Sequence, residues 1–304
     1  MNNSYKNCNL CPRECKVNRT NNQLGVCQVP STLKLARAAL HHWEEVCISG
    51  TKGSGAVFFS GCSMHCVFCQ NKEIANGNLG KEIKKERLAE IFLELQEKGA
   101  NNINLVTPTQ YTEHIIWAVE HTRNQGLHIP IVYNTSGYEK VDTIKRLEGI
   151  VDIYLPDFKY WNPQIAKRYS NAPNYPAVAK DAIAEMVRQQ PKACFEYDME
   201  QDIELMKKGV IVRQLLLPGQ LEDAKQIVKY LYETYGNQIY LSLMSQFTPL
   251  PHVKEYPELN KCVSKRSYEK YVDYAISLGV ENGYIQEGSV AQESFIPDFN
   301  GEGV

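Results

Sequence analysis

Three cysteines fall inside "SGCSMHCVFCQN", residues 60–71, at Cys62, Cys66 and Cys69. Thiolates ligate iron–sulfur clusters, and a cubane cluster ordinarily takes four of them. Three leave one iron open to an exogenous ligand. The competing chemistry for this spacing is a structural zinc ion completed by His65 or by a distant cysteine. A second group, Cys8, Cys11, Cys15 and Cys27, supplies a full set of four thiolates. With every position filled by protein, that centre would be structural or electron-transferring, either zinc or a second iron–sulfur cluster. Arg13, in the "CPREC" turn, offsets thiolate charge in either case. Cys47, Cys194 and Cys262 are scattered and read as small buried apolar side chains, Cys47 lying between the two groups. His41, His42 and Glu45 in "LHHWEE" are metal-ligand types. Adjacent histidines point to opposite sides of a strand, so these three stay unassigned. "SGTKGSG" (49–55) is no phosphate loop, since Lys52 precedes the glycines and a strand follows them.

These residues have to be positioned by a chain of 304 residues, a length that α/β barrels reach as one domain. The apolar fraction of 43% and charged fraction of 22% are those of a globular protein. Lys+Arg 33 against Asp+Glu 35 gives no basic surface for nucleic acid. No run of about 18 uncharged apolar residues predicts a membrane span. The first residues carry no apolar h-region, so no secretory signal is expected. Ten cysteines without an export signal therefore predict metal ligands in a cytoplasmic protein.

From residue 56 onward, short apolar runs alternate with longer amphipathic segments. Strands are expected at 56–60, 102–106, 129–134, 151–157, 209–219, 237–247 and 283–287. Helices are expected at 84–99, 111–126, 139–148, across 162–190, at 221–235 and at 265–278. In the first of these helices Leu88, Ile91, Phe92 and Leu95 share one face, and Gly99 stops it. Such alternation specifies parallel strands with helical crossovers. The expected fold is α/β: a partial (β/α)6 barrel of the TIM type over 56–304, with a doubly wound open sheet as runner-up. In a barrel, functional residues sit on the loops after the strands. Residues 1–55 lack the alternation and are read as a metal-stapled, cysteine-rich N-terminal extension.

The Cys-x3-Cys-x2-Cys spacing, with Phe68 before the last cysteine and a strand before the loop, resembles the radical S-adenosylmethionine (SAM) superfamily. "VTPTQY", "YNTSGYE", "LPDFKYW", "VRQLLLPG" and "LMSQFTP" resemble its pyruvate formate-lyase activating-enzyme-like branch, in particular a subgroup with a cysteine-rich N-terminus. The resemblance implies that Cys62, Cys66 and Cys69 hold a [4Fe-4S] cluster whose open iron chelates S-adenosylmethionine. Reductive cleavage then gives a 5′-deoxyadenosyl radical that abstracts hydrogen. It also implies that Phe68 packs by the adenine, that Asp157 and Lys159 reach the methionine moiety, and that Asn134 and Ser136 reach the ligand after the third strand. Arg213, inside strand five, and Gln246, after strand six, would stand near the cofactor. Where the superfamily commonly has Gly-Gly-Glu after strand two, this chain has Val106-Thr107-Pro108-Thr109. Thr107 and Thr109 offer hydroxyl and backbone acceptors there, and no carboxylate.

By the same resemblance the function is hydrogen abstraction from a glycine of a partner glycyl-radical enzyme, with an electron donor such as flavodoxin or ferredoxin and no membrane or nucleic-acid partner. Two alternatives stand beside it. One is radical chemistry on another peptide, a small molecule or RNA; the other is a non-catalytic zinc-binding interaction protein.

Overall fold

The computed structural model describes residues 3–285 and 297–304. In chain order the strands and helices are β1 (Leu33–His41), α1 (Val46–Ser49), β2 (Ser54–Phe59), α2 (Lys72–Ala75), β3 (Lys81–Ile83), α3 (Lys85–Glu97), β4 (Ile103–Val106), α4 (Thr112–Arg123), β5 (Ile131–Thr135), α5 (Val141–Lys145), β6 (Ile153–Pro156), α6 (Pro163–Ser170), α7 (Tyr175–Gln189), β7 (Cys194–Asp198), β8 (Ile203–Leu215), α8 (Leu221–Tyr235), β9 (Tyr240–Met244), α9 (Lys265–Leu278) and β10 (Gly283–Ile285).

Strands β2, β4 and β6 are buried along their whole length. Strands covered on both faces read as unbroken apolar runs, which is why the sequence shows them without alternation. They pair in parallel in the order β2-β4-β5-β6-β8-β9-β10. Among the described residues this sheet does not close, and β3 and β10 form its two ends. The architecture is a partial β/α barrel, with the helical crossovers packed outside it. Leu88, Ile91, Phe92 and Leu95 of α3 are all at most 1% exposed, so its apolar face meets the sheet as expected.

Three strands lie outside the expected alternation. β1 pairs antiparallel with β2, and β3 pairs with β1, so residues 33–41 are part of the sheet. β7 folds back on β8 as an antiparallel outer hairpin and lengthens the strand expected at 209–219. The helical stretch expected across 162–190 is two helices, α6 and α7, and α6 closes on Asn171 in the left-handed conformation (φ 45°). Of the strand expected at 283–287, residues 283–285 form β10, and 286–287 lie outside the described residues.

Cys47 is buried with Ile48, Val132, Ile153 and Leu155, as expected of an apolar cysteine. Cys194 and Cys262 are exposed, which corrects the buried reading. Cys194 opens the outer hairpin strand β7, and Cys262 lies on the loop before α9, so neither meets the core.

Candidate active site

The triplet loop leaves the end of β2, and its path is set by two close approaches. Gly61 has φ +87°, and a Cβ there would stand 2.6 Å from the Cys27 carbonyl oxygen, so only glycine lets the N-terminal segment lie against the loop. The buried Gln110 amide donates to the carbonyls of Ser60 (3.0 Å), Gly61 (3.0 Å) and Thr107 (2.8 Å), tying the ends of β2 and β4 together. Thr107 is held at φ 58°, a strained conformation for a β-branched residue.

Cys62, Cys66 and Cys69 line one cavity of about 400 Å³ at the C-terminal ends of the parallel strands. Burial pushes the Cys69 thiol up to about 12, and the neighbouring Cys66 and Cys62 add to the shift. Cys62 is raised for the same first reason. Three sulfurs crowded together, two of them on thiols that resist ionisation, suit a polynuclear cation, whose positive charge offsets three thiolates at once. His65 does not line the triplet cavity. Its Nε2 lies 2.6 Å from the Val26 carbonyl oxygen.

Of the nine positions expected to contact the cofactor, Phe68, Thr107, Asn134, Ser136, Asp157, Lys159, Arg213 and Gln246 line this same cavity. Phe68 is wedged edge-on between Tyr160, Tyr169 and Phe247, which fixes its ring beside the triplet. Lys159 Nζ lies 2.5 Å from Asp157 Oδ2. Burial alone would lower the lysine, but the Asp157 charge and then the Cys66 thiol outweigh it, and the ammonium is held above its ordinary range. Thr109 is the exception. It is absent from the cavity lining and donates instead to the buried carboxyl of Glu139 at 2.5 Å.

Arg213 lines the cavity, but its guanidinium is already engaged. Nε donates to Glu45 Oε1 (2.8 Å), Nη2 to Glu45 Oε2 (2.5 Å), and Nη2 also to Glu44. Asn104 Nδ2 donates to Glu44 Oε1 at 2.9 Å. Burial opposes the charge on Glu45, yet Arg213 overrides it and holds the carboxyl below its usual range. The carboxylates missing after β4 therefore reach the cavity from the segment after β1. Sequence reading left Glu45 unassigned and passed over Glu44, because nothing local ties "LHHWEE" to an arginine on β8. His41 also lines the cavity, whereas the His42 ring packs against Gly53.

Cys8, Cys11, Cys15 and Cys27 share one neighbourhood packed against the barrel. Burial raises the Cys11 thiol to about 12, with Cys27 and Cys8 contributing, and burial likewise raises Cys27, with Cys8 and Cys15 contributing. Arg19 is 1% exposed and lies 3.9 Å from the Cys8 sulfur; it also donates to the Val29, Pro30 and Gln110 carbonyls. Among the described residues, no three His, Cys, Asp or Glu side chains are arranged as a preformed single-ion site.

Residues 56–199 match the family described as the Radical SAM superfamily. Over those residues the chain is similar to a radical SAM domain. Over 90% of its length it is 27% identical to uncharacterized protein MJ0674 of Methanocaldococcus jannaschii, covering 75% of that protein. Its fold is similar to that of Streptococcus suis SuiB bound to S-adenosylmethionine, with a TM-score of 0.52 and 14% identity over 75% of this chain. The chain spans 49% of SuiB. A domain of a pyruvate-formate lyase-activating enzyme from Bacteroides vulgatus aligns over 62% of this chain and all of that domain, at 13% identity and a TM-score of 0.43. The match to that family favours the radical reading over the non-catalytic zinc one. It implies a [4Fe-4S] cluster and S-adenosylmethionine, and three cavity-lining thiols with Lys159 beside them fit that pair. No helix among the described residues is long and apolar enough to cross a membrane.

Proposed function

We propose that Cys62, Cys66 and Cys69 hold the cluster, that S-adenosylmethionine fills the cavity beside it, and that the hydrogen atom comes from a polypeptide, a glycine of a partner glycyl-radical enzyme. When bound, the cluster and S-adenosylmethionine supply the radical that takes the hydrogen atom. The chain's own residues orient and shield. The Lys159 ammonium, positioned by Asp157, would pair with the carboxylate of S-adenosylmethionine, and Asn134 and Ser136 would offer it an amide and a hydroxyl. Phe68 covers the triplet with an apolar ring and excludes water.

Cavity size carries the substrate reading. About 400 Å³ is near the lower end of the roughly 300–1,000 Å³ of single-ligand pockets, so a bound cofactor leaves little room for a second small molecule. The hydrogen donor then has to reach in from outside, as a backbone loop does. Trp43, Val46 and Ile285 line the cavity while remaining 62%, 60% and 48% exposed, an apolar surface suited to a docking peptide. The N-terminal four cysteines are proposed to hold a second, fully protein-ligated metal centre, zinc or iron–sulfur, and a flavodoxin or ferredoxin to supply the electron.

The test is anaerobic reconstitution followed by reduction with S-adenosylmethionine present. Release of 5′-deoxyadenosine, with a glycyl-radical signal by electron paramagnetic resonance on adding a glycyl-radical enzyme, is the expected result. Cleavage without any protein radical across a panel of such enzymes would overturn the activase assignment. Failure to cleave S-adenosylmethionine would overturn the cofactor assignment.

A further inference from the structure

Arg13 sits between Cys11 and Cys15, yet its guanidinium reaches across to the barrel. Nε donates to the Ser63 carbonyl (2.9 Å), Nη2 to the Ser170 carbonyl (2.9 Å) and Nη1 to the Asn171 carbonyl (2.6 Å). Ser63 follows Cys62 directly. Ser170 and Asn171 are the last residue and the C-cap of α6, where free carbonyls point outward and a cation is favoured. One planar group thus joins the triplet loop to the end of α6, and its face lies 5.2 Å from the Tyr138 ring centre.

What the join holds in place is a hydrogen bond to a cluster ligand. Ser170 Oγ lies 3.1 Å from Cys66 Sγ, and Tyr160 Oη lies 2.7 Å from Ser170 Oγ. Both hydroxyls are buried, at 3% and 0% exposure. A ligating thiolate has no proton to give, so the single Ser170 hydroxyl hydrogen must go to sulfur. Tyr160 must then donate to Ser170. The direction of the relay is fixed by ligation alone: Tyr160 to Ser170 to Cys66. A hydrogen bond to a cluster sulfur stabilises the more negative, reduced state and raises the reduction potential. Its strength depends on the distance between α6 and the triplet loop, which Arg13 spans together with the Val67 N–H donated to the Tyr169 carbonyl (2.9 Å).

We propose that Arg13 and Ser170 are positioning residues for the radical cluster, through which the N-terminal cysteine segment sets how readily that cluster is reduced. The proposal rests on the cluster being held by the triplet. It assigns the N-terminal segment a mechanical role that does not depend on which metal its own cysteines hold.

The test uses full-length protein reconstituted anaerobically, with the midpoint potential read by electron paramagnetic resonance on the signal that changes when S-adenosylmethionine is added. Ser170→Ala is expected to make reduction about tenfold less favourable, 59 mV for a one-electron couple. Ser170→Thr keeps the hydroxyl and should restore the potential, and Tyr160→Phe should move it part of the way. Arg13→Lys should shift it in the same direction as Ser170→Ala, and the double variant should match Ser170→Ala alone, because Arg13 acts through Ser170. Unchanged iron content in these variants separates tuning from misfolding. A Ser170→Ala potential equal to wild type, or additive shifts in the double variant, would overturn the proposal. A wild-type protein without any S-adenosylmethionine-sensitive cluster signal would instead sink the cluster assignment on which it rests.

Discussion

Replacing Arg213 by alanine strands two carboxylates inside the barrel. The side chains of Arg213, Glu44 and Glu45 are 11%, 8% and 5% exposed, so little water is available to take over the role of the guanidinium. Breaking a buried ion pair by removing one partner costs about 3–5 kcal/mol. At roughly 2 °C per kcal/mol for a chain of this size, the melting temperature near pH 7.5 should fall by about 6–10 °C. The pH dependence gives a second, independent sign. In the wild type Glu45 is held below its ordinary 4.5, so its contribution is present above that value and is lost as pH falls through the lowered one. In the variant the stranded carboxyls take up protons as pH falls, so the deficit against wild type should shrink toward about pH 5. Melts are followed by circular dichroism at one scan rate under argon, from about pH 5 to 8. The neutral variant Glu44→Gln, Glu45→Gln, Arg213→Met should recover most of the loss, since with all three charges removed no unpaired charge is left buried. A drop of less than about 2 °C at neutral pH, or a deficit that grows on acidification, would refute the buried-trio argument.

Changing Cys62, Cys66 and Cys69 together to alanine should remove about four irons per chain and abolish S-adenosylmethionine cleavage, read by iron assay and chromatography. Metal held by Cys8, Cys11, Cys15 and Cys27 should survive that change, and loss of all metal would show that the two groups do not bind separately. Lys159→Ala should weaken S-adenosylmethionine binding about tenfold or more at unchanged iron content, as measured by equilibrium dialysis, because a charge-assisted contact is worth roughly 1.5–3 kcal/mol. Glu139 is 1% exposed, and its carboxyl is raised to about 7 by burial, against donation from Thr109 and Thr135. Its folded state therefore binds the proton more tightly than the unfolded chain, and stability falls as pH rises from about 4.5 through 7. Glu139→Gln should remove a penalty of about 3 kcal/mol at high pH, flattening the melting profile above about pH 6, with little difference near pH 4.

Much of the barrel was legible because its parallel strands are buried on both faces and its helices carry one apolar stripe; α3 with Leu88, Ile91, Phe92 and Leu95 is the clearest case. β1 was not legible. "LKLARAALH" is alanine-rich with broken alternation, and its strand character comes from pairing with β2 rather than from propensity. β7 escaped because three of its five residues are exposed and two half-buried, leaving no apolar signal. Cys194 and Cys262 misled for the converse reason: a cysteine is apolar enough to be buried, but only the fold says whether a core lies next to it. Thr109 faces away from the cavity although Thr107, two residues earlier, lines it, because the strained turn at Thr107 redirects the chain.

By itself the sequence determined the number and spacing of the thiolates, the alternation that builds the sheet, and the polar residues that follow each strand. Those are local properties, set by ligand count and hydrophobic period. The tertiary structure alone decided which distant groups meet. Glu44 and Arg213 are 169 positions apart, and Arg13 and Ser170 are 157 apart. No local pattern encodes either contact, because each is made only when β1 lies beside β2 and the N-terminal cysteines pack against the end of α6.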